Sequence, residues 1–442
     1  MPTTQDFEYL LECRNVIGVD YDEGEDRVRV FVSRKLPPDA LDDEDDVERR
    51  VQETGAETTV DVVDAGYDED REGYEPLSIL EPIPEAAEDR SDRHRPVPAG
   101  VSESNADLTA GTGGPYPARI ENDAGGDASE AVWDDVEAGD LVRLSNNHVY
   151  ARSNEADLGE SILQPGPHDG GDQDDAVGEL VGYVPIADGV RVDVAARSVE
   201  RDRESASYYG LDEEWPTAVR REEYGELRGE TVTKTGRTTG VTSATVEATS
   251  ASVSVEFGGE HGTVTLRDQL ITGYMSEGGD SGSAVFLEDG ALVGLLFAGS
   301  AEQTICNKIC NVERKLGVEI LTGEPGEGDG DDERDATVYT TTFERSVEVA
   351  LEGAALDLES VTFEDRPRPG TQVGATVAVS ASEPGSYWLE IGDERRSFEI
   401  EQGGDDPEPV RDGLRHSIEA EVDVPDDSSE TVDVTITGGR IE

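Results

Sequence analysis

The feature that most limits the fold of this chain is the shortness of its apolar runs. Asp140-Leu-Val-Arg-Leu-Ser, Val177-Gly-Glu-Leu-Val-Gly-Tyr-Val and Ala244-Thr-Val-Glu-Ala-Thr each hold a few apolar residues before polar or turn-forming residues end them. Ser283-Ala-Val-Phe-Leu and Ala291-Leu-Val-Gly-Leu-Leu-Phe flank Glu288-Asp-Gly, a hairpin signal. Short runs with frequent turn residues predict the strands of a barrel or sandwich. None approaches the roughly 18 apolar residues of a transmembrane helix. The N-terminus lacks the basic start and apolar stretch of a secretory signal, so a cytoplasmic location is expected.

Charge excludes several partners. The 442 residues carry a formal net charge of -66, from 36 Lys+Arg against 102 Asp+Glu. Nucleic acid and anionic membrane surfaces are themselves negative, so neither is an expected partner. Self-repulsion on this scale strains a compact fold in dilute buffer, and molar salt screens it by shortening the Debye length to about 3 Å. Only Lys35, Lys234, Lys308 and Lys315 are lysines, and the remaining bases are arginine. Acid excess with scarce lysine resembles the composition of proteins from salt-in halophiles, including halophilic archaea. A disordered acidic chain is disfavoured because apolar periodicity persists along most of the length.

Composition divides the chain. Residues 1–95 read as a small α+β domain. Arg27-Val-Arg-Val-Phe-Val-Ser and Thr58-Thr-Val-Asp-Val-Val alternate as strands. Leu41, Val47 and Val51 between them predict a helix starting near Pro38, and the charged tract 85–95 closes the domain. Residues 96–323 hold most of the short strands, with a terminal helix expected at about 311–316. Residues 324–335 are an acidic linker by composition. Residues 336–442 alternate again, most clearly at Gln372-Val-Gly-Ala-Thr-Val-Ala-Val and Thr431-Val-Asp-Val-Thr-Ile, which predicts an immunoglobulin-like β-sandwich without the antibody cysteine pair. That sandwich is a candidate surface for a protein partner. Cys13, Cys306 and Cys310 form no disulfide framework. Cys306 and Cys310 read as small apolar residues near a domain end, with pairing or metal binding as the alternatives.

Three stretches in the middle segment carry chemistry. His148 follows an apolar strand in Leu144-Ser-Asn-Asn-His-Val-Tyr-Ala. Asp193 is expected within an apolar strand in Arg191-Val-Asp-Val-Ala-Ala-Arg, where an unpaired carboxylate is costly. Ser281 occupies a Gly-rich turn in Gly278-Gly-Asp-Ser-Gly-Ser-Ala-Val-Phe. A serine hydroxyl needs a base to take its proton, histidine is that base near neutral pH, and a buried aspartate orients the imidazole. The glycines before Ser281 let the amides of Gly279 and Ser281 point at a developing oxyanion. Each residue alone has a structural reading: a turn, a histidine after a strand, one acid among many. Their coincidence, each beside an apolar strand, favours a nucleophilic triad.

The three stretches resemble those of trypsin-like serine peptidases of the chymotrypsin fold. Their Ser145-Asn-Asn-His-Val and Gly279-Asp-Ser-Gly-Ser forms are similar to the bacterial high-temperature-requirement type. Ile162-Leu-Gln-Pro-Gly-Pro-His-Asp-Gly-Gly and Lys234-Thr-Gly-Arg-Thr-Thr-Gly-Val-Thr resemble a prokaryotic group of such proteins, to which the plant narrow-leaf proteins look distantly similar. Asn15-Val-Ile-Gly-Val-Asp and the strand before Lys35-Leu-Pro resemble that group's N-terminal segment. The resemblance covers roughly residues 14–322.

The resemblance implies a mainly β chain: a chymotrypsin-like double β-barrel flanked by the small α+β domain and the sandwich. His148 and Asp193 would come from the first barrel and Ser281 from the second. Matched motif by motif, His148 is the general base, Asp193 its orienter and Ser281 the acyl-forming nucleophile of an endopeptidase. Gly279 and Ser281 supply the oxyanion amides, and Asp280 shapes their loop. No cofactor or metal is implied, and the partner is a peptide or protein substrate. Met275 stands where enzymes cutting after basic residues carry an aspartate, six positions before the serine. Leu295-Leu-Phe-Ala-Gly matches the strand lining the primary pocket, so Met275, Phe297, Ala298 and Gly299 are the candidate pocket residues. A small or medium apolar residue is the expected preference. No Ile-Val start follows a plausible activation site, and residues 1–95 are a candidate gate for the cleft. The same constellation admits two alternatives: a catalytically silent binding or scaffold protein on this fold, and an esterase-like hydrolase with the same triad.

Gly236-Arg-Thr-Thr-Gly is not a phosphate loop, since no Lys follows its second Gly, and reads as a turn opening the second barrel. Asp169, Asp172, Asp174 and Asp175 are a weak calcium candidate whose spacing fits no EF-hand. His168 is expected to be exposed, and His94, His261 and His416 have no catalytic context.

Overall fold

The computed structural model describes residues 2–322 except 38–39, 55–57, 78–82, 109, 122–130, 135, 213–214 and 260, and beyond them the strand backbones between 337 and 440. The chain is mainly β, in two compact units, Met1–Pro325 and Gly326–Glu442. The expected linker at 324–335 lies outside the described residues.

The first unit opens with β1 (Val16–Asp22) and β2 (Arg27–Val32), an antiparallel pair. Helix α1 (Val47–Glu53) carries the chain back so that β3 (Thr59–Asp64) runs parallel to β2. This helix starts later than the sequence predicted. Asp46 sets its start by accepting a hydrogen bond from the Arg49 amide, and Val47 and Val51 supply its buried face. The 1–95 segment does not stand apart as a domain. All of β1 is buried, and it pairs with a strand of the middle segment, Gly18 opposite Val253. The tract 85–95 is likewise built in. Arg90 is buried and donates to the carbonyls of Gly100 and Tyr209. A short strand, β4 (Glu75–Pro76), belongs to this segment too.

The next strands are β5 (Val97–Ala99), β6 (Ser104–Asn105), β7 (Ala118–Ile120), β8 (Val132–Trp133) and β9 (Leu141–Ser145). Helix α2 (Asn147–Tyr150) follows β9 at once. Then come β10 (Ser161–Leu163), β11 (Ala176–Tyr183), β12 (Ala195–Ser198) and β13 (Glu204–Tyr208). In an 8-stranded sheet β9 is an interior strand between β7 and β12, with β11, β10 and β6 beyond β12. All of β9 is buried, as expected of an interior strand.

The remaining strands of the unit are β14 (Ala218–Val219), β15 (Thr231–Gly236), β16 (Gly240–Gly258), β17 (Gly262–Gly273), β18 (Ala284–Leu287), β19 (Ala291–Gly299), β20 (Gln303–Lys308) and β21 (Val318–Ile320). Within an 11-stranded sheet the order β15-β18-β19-β20-β17-β16 returns on itself, because β15 also pairs with β16. Register breaks along the 19-residue β16 let it bend and serve β15, β17 and β1. The expected turn at Glu288-Asp-Gly joins β18 to β19. Helix α3 (Ile309–Leu316) ends at Gly317, whose φ of 79° is the left-handed cap glycine tolerates best. It packs on the sheets through Ile309, Val312 and Leu316, and β21 then joins β7.

The second unit holds a five-stranded and a three-stranded sheet. Strands Ser346–Glu352 and Thr431–Arg440 run parallel, whereas the long pair Thr371–Ala381 and Leu414–Val424 is antiparallel. The side chains there, His416 among them, lie outside the described residues.

Candidate active site

Strand register brings the first two predicted residues together. Ser145 ends β9 opposite Ala195, which begins β12. His148 lies three residues past the first strand end and Asp193 two residues before the second, so both stand at one edge of the sheet. Asp193 is thus in the lead-in to β12 rather than within a strand. Its carboxylate receives the His148 amide at 3.2 Å and the His148 ring at Nδ1. A carboxylate only accepts, so the ring proton sits on Nδ1 and Nε2 is left as an acceptor.

Ser281 arrives from the other sheet, in the turn before β18. Its Oγ is 2.8 Å from His148 Nε2 and 3.0 Å from the Phe297 carbonyl, to either of which its single proton can donate. His148, Asp193 and Ser281 are all 0% exposed. In that water-poor setting a proton passing from Oγ to Nε2 leaves an imidazolium directly opposed by Asp193.

The turn is built around Asp280. One carboxylate oxygen accepts from the amides of Thr238 and Thr239 at 2.8 and 3.1 Å. The other meets the Thr239 hydroxyl at 2.7 Å and Lys234 Nζ at 3.2 Å. Burial pulls the Lys234 ammonium below its ordinary pKa, and the Asp280 charge works against that pull. The Gly236-to-Gly240 turn therefore opens a hairpin and grips the serine loop. Gly279 has a φ of 96°, and a Cβ there would stand 2.5 Å from Thr238 Oγ1, so a side chain is excluded on two grounds. The Gly279 amide donates to the Leu77 carbonyl at 2.6 Å. The Ser281 amide has no hydrogen-bond partner among the described residues.

The predicted pocket residues divide. Gly299 lines a cleft of ≈ 660 Å³ with Leu77, Tyr274, Ser276 and Gly278. Met275, Phe297 and Ala298 do not line it. Met275 is 2% exposed and turns into an apolar cluster with Leu77, Leu270 and Leu296. Its neighbours Tyr274 and Ser276 line the cleft instead.

Sequence reasoning missed the residues that hold the triad's backbone. Asn146 Nδ2 donates to the Asp193 carbonyl at 2.8 Å, and Asn307 Oδ1 accepts from the Asp193 amide at 3.0 Å. The two asparagines before His148 were a usable signal, whereas nothing local marks Asn307. Also missed was a buried network under α2. Arg197 contacts Glu103 at 2.6 Å and Glu204 at 2.9 Å, Arg143 contacts Glu204 at 2.8 Å, and the Tyr150 hydroxyl meets Glu103. Burial raises the Glu204 carboxyl's pKa, but Arg197 and Arg143 outweigh it and hold the group below its usual range.

Other candidates fall away from the site. Asp169 is bound bidentately by Arg237 at 2.7 and 2.6 Å, Asp175 pairs with Arg93 at 2.7 Å, and Asp172 accepts from the Asp174 amide. Among the described residues no cluster of His, Cys, Asp or Glu could hold a metal ion. His168 is exposed, and His94 bonds the Asp89 carbonyl. Cys306 and Cys310 are free thiols, Cys306 buried and pushed up by that burial. No helix among the described residues is long and apolar enough to cross a membrane. Compared with known proteins, the sequence matches no protein-family model and no curated protein.

Proposed function

We propose that the chain is a serine endopeptidase that cuts peptide bonds through an acyl-enzyme, with Ser281 as nucleophile, His148 as general base and Asp193 as its orienter. One observation carries the reading. Ser281 Oγ stands 2.8 Å from His148 Nε2 while Asp193 holds the opposite ring nitrogen, although the three come from distant parts of the chain. The Ser281 amide, without a hydrogen-bond partner among the described residues, and the Gly279 amide favour stabilisation of an oxyanion beside that serine.

The double β-barrel reading is supported by the closed ring β15-β18-β19-β20-β17-β16 and by the second sheet, which delivers His148 and Asp193 to its edge. The two sheets among residues 336–442 favour the immunoglobulin-like sandwich, whose surface is where a protein partner would bind. The acidic surface favours a protein adapted to high salt, and the substrate is a peptide or protein in solution.

A fluorophosphonate is expected to label the protein in KCl of about 1 M, where repulsion is screened. Ser281→Ala abolishes the label. Absence of label on folded protein, including a Leu77→Asp variant that displaces the chain from the Gly279 amide, overturns the reading. A silent binding protein draws on the complete burial of Ser281, and it predicts that wild type and Ser281→Ala behave alike.

A further inference from the structure

The segment around Leu77 lies against the triad as a bound peptide would. Strand β4 pairs antiparallel with β19, Pro76 opposite Ala298 and Glu75 opposite Gly299. One residue further, the Leu77 amide donates to the Phe297 carbonyl at 3.2 Å, and the Leu77 carbonyl accepts from the Gly279 amide at 2.6 Å. That Phe297 carbonyl is also 3.0 Å from Ser281 Oγ. Both main-chain groups of Leu77 are therefore held by atoms that adjoin the nucleophile. Its side chain is 2% exposed, in the apolar cluster that includes Met275 and Leu296. Leu77 Cδ2 would lie 3.6 Å from a Cβ placed on Gly299, so the leucine occupies the space that glycine leaves open.

Upstream the segment is anchored as well. The Tyr74 amide donates to the Ser254 carbonyl and its carbonyl accepts from the Glu256 amide, both at 2.8 Å. The Tyr74 hydroxyl donates to Gln303 at 2.9 Å. A strap that merely covered the site would need none of this register. Extended pairing, an apolar side chain in a pocket and a carbonyl on the Gly279 amide together are what a peptide about to be cut requires.

We propose that the chain is its own substrate and that Ser281 cleaves the peptide bond following Leu77. The inference rests on the Ser-His-Asp reading above. Ser281 Oγ adds to the Leu77 carbonyl carbon while its proton passes to His148 Nε2, and the carbonyl oxygen takes the negative charge against the Gly279 amide. Collapse breaks the bond between the Leu77 carbon and the nitrogen of residue 78, which leaves with the proton from His148 as a free amine. Water then adds to the Leu77 ester, passing its proton to His148, and Ser281 departs with that proton restored. One water is consumed, and a Leu77 carboxylate remains. The same geometry assigns a medium apolar residue, leucine first, as the preferred residue before the cut.

The test incubates the purified full chain in KCl of about 1 M and follows intact mass and N-terminal sequence over time. Wild type is expected to yield a fragment beginning at Ser78, at a rate per molecule that tenfold dilution leaves unchanged. Ser281→Ala loses one oxygen and stays intact. Leu77→Ala slows the cut by about 100-fold, and Leu77→Asp, which puts a charge in the apolar pocket, abolishes it. An uncut wild type whose Leu77→Asp variant is labelled at Ser281 by a fluorophosphonate overturns self-cleavage and leaves the peptidase reading standing. Leu77→Ala serves the same purpose where Leu77→Asp does not fold. No label on any folded form overturns both. Cutting in Ser281→Ala, or a rate that falls on dilution, overturns cleavage within the molecule.

Discussion

The sheet that supplies His148 and Asp193 buries two arginines and two glutamates beneath α2, whereas the ring that supplies Ser281 is centred on β19, whose every residue is apolar or glycine. The histidine half is held by directional bonds. Arg143 alone reaches Glu204 and the carbonyls of Gly114, Val97 and Ser205. Such a network gains little net stability over apolar packing, but losing one member leaves the others' charges buried and unpaired, and Tyr150 links it to the helix that carries His148. The serine half is held by packing, and one ion pair, Lys234 with Asp280, pins the loop that needs precise placement. The difference teaches that a buried network holds the histidine half together, whereas a single buried ion pair also places the serine loop.

Three single substitutions and one double variant probe that division. The largest expected effect is chemical: Asp193→Asn reverses the imidazole tautomer and lowers the fluorophosphonate labelling rate by about 10⁴-fold, with the thermal midpoint little changed. Next is Asp280→Asn, which strands the buried Lys234 charge and costs about 3–5 kcal/mol in urea denaturation. It also slows labelling of the folded fraction, because the loop bearing Gly279 and Ser281 loses its pin. The double variant Lys234→Met with Asp280→Asn regains stability but not labelling rate. Glu204→Gln removes the charge shared by Arg143 and Arg197 and costs about 3 kcal/mol. Labelling of its folded fraction stays within a few-fold of wild type. Were Glu204→Gln to slow labelling as Asp280→Asn does, the two halves would not divide the work as described.

The same division governs what was legible in the sequence. The triad could be read because each member sits in a short motif next to its own strand, and strand ends converge on the cleft. The helix at Ile309–Leu316 and the β18–β19 turn could be read from local caps and turn residues. Long-range partners left no local mark. Nothing near Asn307 says that it holds Asp193, and nothing near Leu77 says that it meets Gly279. Arg143 and Arg197 stand at strand positions that a period-two reading assigns to either face, and only their distant glutamates make burial tolerable. The 1–95 boundary failed because a composition change marks where charge accumulates, not where hydrogen bonding stops.

A smaller effect separates the two halves by pH. Glu204 titrates below its ordinary value, so its contribution is present above the unfolded-state value of about 4.3 and is lost as pH falls through the lower folded value. Asp169 behaves alike, its burial outweighed by Arg237. Between neutral pH and about pH 3, Glu204→Gln is therefore expected to lose less stability than wild type in urea denaturation, so the gap between them narrows on acidification. A gap that widened would mean that Glu204 is not the group being protonated.

The smallest expected effect is in the response of that gap to salt. Raising KCl from about 0.1 M to about 1 M shortens the Debye length from about 10 Å to about 3 Å, so repulsion among the exposed acids falls and both wild type and Glu204→Gln become more stable. The Glu204 side chain is 0% exposed, as are Arg143 and Arg197, and mobile ions do not enter that space. The two urea curves should therefore shift together, with the difference between them constant to within about 0.5 kcal/mol. Asp43, whose side chain is 88% exposed beside Arg49, supplies the contrast, because whatever Asp43→Asn does at low salt should fade at high salt. A Glu204 difference that also faded would put solvent ions inside the network. A constant one makes the net charge of -66 a property of the surface, laid over a site whose own charges are paired and indifferent to salt.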